Sequence, residues 1–476
     1  MNIFQCKKIL MYTAITLIAL IIRFYVMDGK ESWHDEWHSL YISNPNIEFS
    51  QTMDRYWGNK GDAFLTEYYP PLYLILLKFF FKLFGYSDDI GRVFSLIFGI
   101  SSIPLSLYIF ENINKNTKIN YYFSFALAFN LFLIWQSLEI RAHSLSTFLS
   151  LLSVALFLKI LKKSNKIVYL FYFFVSILNL SIWPITLTIY FGKIIFLIKK
   201  FIFENKEKKI KILILNIFFI IIFYILFNFN YLFYSINRTE HYTLLKASFF
   251  INYHFRSFFG SVGLGGVLLI IFSYLFLKNR KEIIFKNSSS NLIIYIIIST
   301  YALTLLYSFL RASIMSPKYV MFILPLIIIW IFTNLQNRRN NKLLNIILTS
   351  LIIMVSIFNL KNFPIKSPPT SKVLEIIVKN NGKHFFTSEN DVFNNYIKTK
   401  KIFIKNQLIL IDNKKELNEL DVQEIWFICL NNPVFAIGNN NFPDEIKCTK
   451  NNIPINYKLN QFIHIKDFII KSYIKA

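Results

Sequence analysis

The sequence predicts a polytopic α-helical membrane protein with about eleven spans, followed by a small extracytoplasmic α/β domain. Three observations predict this fold class. The chain has 476 residues, of which 54% are hydrophobic and only 17% charged, whereas soluble domains carry about 25% charged residues. Most of its apolar runs are long enough to cross a hydrocarbon core of roughly 30 Å. Beyond residue 360 the pattern changes to short alternating helical and strand segments.

Apolar runs follow one another through the first three quarters of the chain. They cover residues 9–27, 72–84, 90–110, 121–137, 142–161, 167–181, 184–198, 210–235, 259–277, 291–310, 317–335 and 342–360. The run 72–84 is too short to span and contains Lys78 and Lys82, so we expect it to lie in the membrane interface. The remaining runs are the predicted spans.

The distribution of basic residues orients these spans. If residue 1 is cytoplasmic, the inside connections hold 20 Lys and Arg residues and the outside connections hold 9. Short cytoplasmic loops carry such an excess, which places the loop 28–89 and the C-terminal segment outside. The net charge of +25 therefore reflects membrane orientation, and we expect no nucleic-acid partner. The predicted location is the inner (plasma) membrane, crossed many times.

The C-terminal segment, residues 361–476, is predicted to be a separate domain. Pro364, Pro368 and Pro369 end any helix that continues from the last span. The pattern then predicts a helix over 370–380, a helix near 389–398 and strands over 384–387, 402–411, 424–430, near 446 and over 461–466. Cys429 and Cys448 allow a disulfide outside the cytoplasm, and the alternative is that Cys429 packs in an apolar strand.

The first outside loop contains the densest group of ionisable residues, from His34 to His38. The pattern predicts a short helix over 34–43, on which Asp35 and His38 share one side. Adjacent carboxylates raise one another's pKa, and carboxylate and imidazole groups suit a divalent cation. The segment therefore predicts a general base beside a metal-binding group. The alternative is a solvated interfacial helix whose tryptophans, Trp33 and Trp37, sit in the aromatic belt.

Cations at the outer edge of the spans are candidates for binding an anionic group. They are Arg92, Arg141, Arg311 and Lys318. Glu139 with Arg141 equally fits a plain interfacial ion pair, and His143 fits either a helix end or a site.

Five segments occur in an order that points to a known superfamily. They are the loop 31–39, Tyr68–Leu74 with its Pro-Pro pair, Leu83–Val93, Gln136–Ala142, and Ser316–Val320 followed by Pro325. In that order they resemble the GT-C glycosyltransferases of the protein O-mannosyltransferase and lipid A aminoarabinose transferase superfamily. The resemblance covers the architecture of residues 1–360, and it implies transfer of one sugar, a hexose or pentose, from a polyprenyl phosphate carrier.

The resemblance assigns roles to individual positions. The superfamily's Asp-Glu pair falls on Asp35 and Glu36, its second-loop acidic residue on Glu139, and its carrier-phosphate contact on Lys318-Tyr319. An acidic metal ligand of the aminoarabinose branch falls near Glu67, at a slightly different spacing, so the implied cofactor is a divalent metal ion. The predicted catalytic residues are Asp35 and Glu36. The predicted substrate-binding residues are His38, Arg92, Glu139, Arg141, Arg311, Lys318 and Tyr319.

The predicted function is transfer of a sugar from a polyprenyl-phosphate donor to a glycan, lipid A or protein hydroxyl, with Asp35 as the base. Membrane lipids are the remaining expected partner. Two alternatives stay open: a polymerase or ligase of lipid-linked glycans, and a transporter or flippase of lipid-linked sugars. A transporter is expected to carry ionisable residues near mid-membrane. Among the charged residues of the apolar runs, we expect Arg23 to come nearest to an intramembrane position, and it lies close to the end of its run.

Overall fold

The computed structural model divides the chain into two compact units, Met1–Asp28 with Ile42–Phe363 and Gly29–Tyr41 with Pro364–Ala476. It describes residues 3–28, 30–57, 69–113, 120–163, 165–203, 207–237, 254–285, 289–311, 314–336, 342–360, 370–380, 382–387, 393, 397, 408–410, 422–430, 456–465 and 468–476.

The helices up to residue 360 account for the first unit and for the short segment that belongs to the second. They are α1 (Ile3–Met27), α2 (His34–Ile42), α3 (Phe49–Trp57), α4 (Leu72–Phe84), α5 (Asp88–Ile113), α6 (Asn120–Ala128), α7 (Leu131–Gln136), α8 (His143–Lys162), α9 (Lys166–Ile182), α10 (Leu187–Phe203), α11 (Glu207–Phe227), α12 (Phe229–Asn237), α13 (Arg256–Phe259), α14 (Val262–Phe285), α15 (Ser289–Leu310), α16 (Leu324–Gln336) and α17 (Lys342–Asn359).

Six described helices are long and apolar enough to cross a membrane. They cover Ile9–Met27, Asp88–Ile113, His143–Lys162, Lys209–Phe227, Val262–Lys281 and Ser289–Leu310. Shorter apolar helices cover Lys166–Ile182, Met321–Leu335 and Leu343–Asn359. The helix α4 has the same bounds as the predicted interfacial run and, among the described helices, falls in neither group. The polytopic helical fold is therefore confirmed, and the number of eleven spans stays a prediction.

Two predicted spans are interrupted by asparagine. The run 121–137 is divided between α6 and α7, because the Asn130 side chain accepts a hydrogen bond from the Leu133 backbone N–H and caps the new helix. Its amide nitrogen also donates to the Phe258 carbonyl oxygen at 2.8 Å. The run 210–235 is divided at Asn228 into α11 and α12.

Close packing of the helices depends on two glycines. A Cβ atom at Gly192 on α10 would lie 2.6 Å from the Ile296 Cα on α15, and one at Gly99 on α5 would lie 2.3 Å from the Ser137 Cβ. Small residues of this kind let helix backbones approach in membrane bundles. Gly99 therefore places α5 directly against the turn 137–142.

The second unit contains helix α18 (Thr370–Lys379) and one five-stranded sheet. The strands are β1 (His384–Thr387), β2 (Leu408–Leu410), β3 (Glu424–Leu430), β4 (Tyr457–Ile465) and β5 (Phe468–Lys475). Their order is β2-β1-β3-β5-β4; β1 is parallel to β2 and β3, and β5 is antiparallel to β3 and β4. The predicted α/β domain is therefore confirmed.

Individual elements of this unit match the prediction unevenly. The strands β1 and β3 have the predicted bounds, whereas the sequence interpretation missed β5 altogether. The predicted strand near 446 lies outside the described residues, and of the predicted helix near 389–398 only Phe393 and Ile397 are described, both helical. Cys429 is disulfide-bonded and also belongs to the apolar core beside Phe427 and Tyr473.

Candidate functional site

Four connections between helices of the first unit meet at one place. Tyr69 precedes α4, Arg141 lies in the turn 137–142 before α8, Trp183 separates α9 from α10, and Tyr319 precedes α16. The charge count assigns each of these connections to the outside. Their convergence places the four connections on one face of the bundle, and the side of the membrane on which that face lies stays a prediction.

The side chains at this place form a continuous set of ring contacts. The guanidinium carbon of Arg141 lies 5.2 Å from the centroid of the Tyr69 ring, and the Tyr69 ring lies 5.4 Å from that of Trp183. Trp183 also contacts His143 at 4.9 Å and Tyr319 at 5.5 Å between centroids. We call this set the cationic–aromatic cluster. Its members are Tyr69, Arg141, His143, Trp183, Lys318 and Tyr319.

The cluster contains two buried cations. Arg141 and Lys318 are 5% and 8% exposed, and the Lys318 Nζ lies 5.5 Å from the centroid of the Tyr319 ring. A cation surrounded by low-dielectric aromatic side chains interacts with an anion more strongly than a cation in water does. The cluster is therefore suited to bind an anionic group.

The turn 137–142 presents Glu139 and Arg141. The Ser137 hydroxyl donates to the Ile134 carbonyl oxygen at 2.6 Å, and the Arg141 backbone N–H donates to the Glu139 carbonyl oxygen at 2.8 Å. Glu139 is buried, and within the described residues its Oε2 has no hydrogen-bond partner and it forms no ion pair with Arg141. The interfacial ion pair between Glu139 and Arg141, which the sequence analysis kept as an alternative, is therefore not formed among the described residues.

The other two predicted cations occupy different settings. Arg92 is buried near the start of α5, where its guanidinium nitrogen lies 3.4 Å from Asp89 Oδ1. The neighbouring Gly91 packs against Ile140 of the turn 137–142. Arg311 directly follows α15 and is half-buried. We therefore do not count either of them in the cluster.

The helix α2 carries the predicted catalytic pair in its first turn. Glu36 is fully buried: its carboxylate accepts a 3.2 Å hydrogen bond from the Trp33 backbone N–H and lies 3.7 Å from Lys30 Nζ. A carboxylate three residues into a helix that binds the N-cap N–H is one half of a capping box. Glu36 therefore has a structural role in starting the helix.

Asp35 and His38 lie on the same helix and are both half-buried. The Asp35 carbonyl oxygen accepts a hydrogen bond from the Ser39 hydroxyl. Trp33 and Trp37 are buried, and the Trp37 indole N–H donates to the Ser32 carbonyl oxygen at 3.0 Å. Burial of both indoles distinguishes this helix from the solvated interfacial alternative.

The segment before α2 is attached to the C-terminal domain within the second unit. The Glu31 carboxylate accepts hydrogen bonds from the Ser371 backbone N–H at 2.8 Å and from the Ser371 hydroxyl at 2.5 Å. Ser371 lies in the first turn of α18, where backbone N–H groups lack intrahelical partners. This contact fixes the segment that leads to Asp35 on the end of a helix.

The described part of the chain offers no ligand set for the divalent metal ion that the resemblance implies. Those residues contain no group of three His, Cys, Asp or Glu side chains suited to hold one, and Glu67 lies outside them. Glu36 is already engaged with Lys30 and Trp33. We derive no step through a metal.

Two aromatic members of the cluster were not predicted from the sequence. The sequence analysis identified Arg141, Lys318 and Tyr319 and weighed His143, but it assigned no role to Tyr69 or Trp183. A Trp-Pro pair in a two-residue connection is the signal that would have found Trp183.

The interpretation of intramembrane charge needs a correction. Lys193 is fully buried in α10, where its Nζ donates to the Ser153 hydroxyl at 2.9 Å and lies 4.6 Å from the centroid of the Tyr190 ring. The sequence analysis named Arg23 as the residue nearest to an intramembrane charge and overlooked Lys193, which lies well inside α10. The lysine was visible in the run 184–198, but its surroundings come from three helices, with Ser153 on α8, Tyr172 on α9 and Tyr190 on α10.

Comparison with solved structures identifies the fold. ArnT from Cupriavidus metallidurans in the apo state superposes with a TM-score of 0.57 at 10% sequence identity, covering 98% of each chain. ArnT is a GT-C glycosyltransferase. This chain has the GT-C fold. The crystal structure of the same protein bound to undecaprenyl phosphate gives a TM-score of 0.52 at 9% identity over 97% of each chain. No protein-family model and no curated protein sequence matches the chain.

The GT-C fold agrees with the resemblance derived from the ordered segments. At 10% identity the likeness establishes the arrangement of the chain. The chemistry has to be argued from the residues of this protein.

Proposed function

We propose that this protein is a membrane glycosyltransferase that transfers one sugar from a polyprenyl-phosphate donor to a hydroxyl acceptor. The observation that carries the proposal is the cationic–aromatic cluster, in which Arg141 and Lys318 are buried among rings where four connections of a GT-C fold meet. ArnT, which shares the fold, has been crystallised with undecaprenyl phosphate. The anion that the cluster is suited to bind is the carrier phosphate.

In the proposed reaction the bond between the anomeric carbon and the phosphate oxygen breaks. Its electron pair leaves with the oxygen, and polyprenyl phosphate is released as an anion. Arg141 and Lys318 stabilise the negative charge that develops on this phosphate. Stabilisation of developing charge by fixed groups in a desolvated site is usually the largest single contribution to catalysis. A phosphate leaving group needs little help from a general acid.

The acceptor hydroxyl forms the new bond to the anomeric carbon, and its proton passes to the carboxylate of Asp35. A positioned general base typically contributes ~10²–10⁴-fold to such a step. Glu36 supports Asp35 indirectly, because its contacts with Trp33 and Lys30 hold the first turn of α2. His38 shares one side of that helix with Asp35 and is proposed to contact the acceptor.

We place the reaction at the outer face of the plasma membrane. The excess of Lys and Arg on the inside connections supports this orientation. A cysteine introduced by Lys415→Cys should react with a membrane-impermeant thiol reagent in intact cells. Protection of that cysteine would mean that the orientation is reversed.

Turnover of the donor tests the proposed activity. The purified protein in lipid nanodiscs is incubated with radiolabelled polyprenyl-phosphate sugars, with and without a chelator, and released polyprenyl phosphate is measured. We expect release that requires an acceptor with a free hydroxyl. A chain-length series of products would favour the polymerase or ligase alternative instead.

A lipid-linked sugar transporter is the second candidate, because Lys193 and Arg23 are charges buried inside the bundle. Each has hydrogen-bond partners on neighbouring elements, as expected of structural charges: Lys193 binds Ser153, and Arg23 binds Ser137. Movement of a labelled lipid-linked sugar across proteoliposomes without hydrolysis or transfer would support the transporter.

A further inference from the structure

The buried cation Arg23 lies beneath the turn that carries Arg141. It is 1% exposed near the end of α1, and its guanidinium group makes three hydrogen bonds. Nε donates to the Ser137 hydroxyl at 3.0 Å, and one terminal nitrogen donates to the carbonyl oxygens of Ala19 at 3.0 Å and Ala128 at 3.2 Å. These partners belong to α1, to the end of α6 and to the start of the turn 137–142.

Two of these partners are buried at the ends of α6 and α7, the two helices into which the run 121–137 is divided. Ala128 is the last residue of α6, so its carbonyl oxygen lacks the usual intrahelical donor. Ser137 follows the last residue of α7. Interrupted backbone inside a membrane is tolerated only where its polar groups are satisfied by the protein. Arg23 donates to the freed carbonyl oxygen at the end of α6 and to the side-chain hydroxyl that follows the end of α7, so one guanidinium group joins the ends of both helices.

Ser137 is held from a second side. Gly99 of α5 has no Cβ, and any Cβ there would lie 2.3 Å from the Ser137 Cβ. Ser137 is therefore confined between the guanidinium group of Arg23 and the backbone of α5. Four residues later the same turn presents Arg141 against Tyr69.

Because Arg23 is buried, its guanidinium group is not on the protein surface where a substrate could contact it from water. Its three bonds go to neutral acceptors, and it faces a small cavity of ≈ 10 Å³ that is also lined by Ser144 and Thr147. This volume holds about one water molecule, which is too small for a phosphate group. The described contacts of Arg23 are therefore with the protein backbone and with Ser137.

We propose that Arg23 is a positioning residue that fixes the turn 137–142 and thereby sets the location of the Arg141 guanidinium in the cationic–aromatic cluster. This inference rests on the proposed function for its effect on the carrier phosphate. The structural part of the inference, which is that the bond between Arg23 and Ser137 immobilises the turn, does not depend on the proposed function.

Hydrogen–deuterium exchange of the detergent-purified protein tests the structural part. Ser137→Ala and Arg23→Gln should each increase exchange of the amides in residues 136–143 by at least about fivefold. Ser137→Ala also removes the bond to the Ile134 carbonyl oxygen, and Arg23→Gln also removes the bonds to Ala19 and Ala128, so the bond between Arg23 and Ser137 is the loss that the two variants share. The matched control is Ser106→Ala, because the Ser106 hydroxyl bonds only the Ser102 carbonyl oxygen of its own helix. Unchanged exchange of these amides in Ser137→Ala would overturn the inference. If Arg23→Gln does not fold, Ser137→Ala still removes the bond to Arg23 and is compared with the Ser106→Ala control.

A double-mutant cycle for binding of undecaprenyl phosphate tests the consequence. If Arg23 acts through Arg141, Ser137→Ala should weaken binding about fivefold in the wild-type background and have no effect when Arg141 is already Gln. Equal losses in both backgrounds would show a general structural effect and overturn the positioning role. If the wild type does not bind the lipid, the proposed function fails, and the exchange result still decides whether Arg23 fixes the turn.

Discussion

The indole N–H of Trp183 donates a 2.9 Å hydrogen bond to the backbone carbonyl oxygen of Tyr319, a residue 136 positions away in the sequence. The bond joins the connection between α9 and α10 to the connection before α16. It therefore fixes the segment that carries Lys318 against the segment whose Trp183 ring packs on Tyr69 and His143.

Replacing Trp183 with Phe should separate these two segments while keeping a ring in place. We expect a loss of about 1 kcal/mol in the free energy of unfolding, because one buried hydrogen bond disappears. Trp183→Ala should cost more, about 3–5 kcal/mol, because it also leaves a cavity. Thermal unfolding of the detergent-purified variants measures both. Equal stability of Trp183→Phe and wild type would mean that the bond does not hold the two connections together.

Asp35 and Glu36 should respond differently to loss of charge. Asp35→Asn should abolish sugar transfer and leave thermal stability near that of the wild type. Glu36→Gln should lower stability, because it weakens the buried pair with Lys30 and the bond to the Trp33 N–H; truncating one partner of such a pair is costly. The control is Glu48→Gln, at an exposed residue of the same loop. Full activity in Asp35→Asn would rule out Asp35 as the base.

The contact between Glu31 and Ser371 should stabilise the start of α18. Glu31→Gln weakens two hydrogen bonds to a carboxylate at a helix N-terminus, so we expect about 1 kcal/mol less protection of the first-turn amides of α18. Hydrogen exchange measures this loss. The matched control is Glu375→Gln, at an exposed position of the same helix. Similar exchange in the two variants would show that the contact contributes nothing.

Acid should destabilise the protein through His254. Burial lowers the pKa of His254 to about 4, below the value of about 6.5 expected in an unfolded chain. The stabilisation is complete above about pH 6.5 and is lost as the pH falls toward 4, because the unfolded state binds the proton first. The loss is on the order of 3 kcal/mol.

Variants check this acid sensitivity. His254 Nε2 and the Tyr301 hydroxyl are hydrogen-bonded at 2.7 Å, and His254→Gln keeps a polar partner there without a titrating ring. It should flatten the dependence of the thermal midpoint on pH between 6.5 and 4, whereas His464→Gln, at an exposed residue, should not. An unchanged pH profile in His254→Gln would contradict the assignment.

The sequence predicted the elements of this fold better than their interruptions. The helix α4 and the strands β1 and β3 have the predicted bounds because length, proline and apolar alternation determine them locally. The break at Asn130 was missed because an apolar run alone does not reveal its distant partners: Arg23 donates to the freed Ala128 carbonyl oxygen, and the Asn130 amide donates to the Phe258 carbonyl oxygen.

The candidate site was predicted in part for the same reason. Arg141, Lys318 and Tyr319 stand out as polar residues at the ends of apolar runs, whereas Tyr69 and Trp183 are ordinary interfacial aromatics until the fold brings them together. The capping role of Glu36 was also hidden, because its N-cap residue is Trp33 rather than the Ser or Thr of a capping box.

Binding of undecaprenyl phosphate to the wild type and to Arg141→Gln tests the central claim most directly. The measurement uses the full-length protein in nanodiscs and the radiolabelled lipid at equilibrium. Removing one charge-assisted contact should raise the dissociation constant by at least about tenfold, and Lys200→Gln, at a predicted cytoplasmic position, should leave it unchanged. Equal affinity of wild type and Arg141→Gln, or no binding by the wild type, would contradict the account.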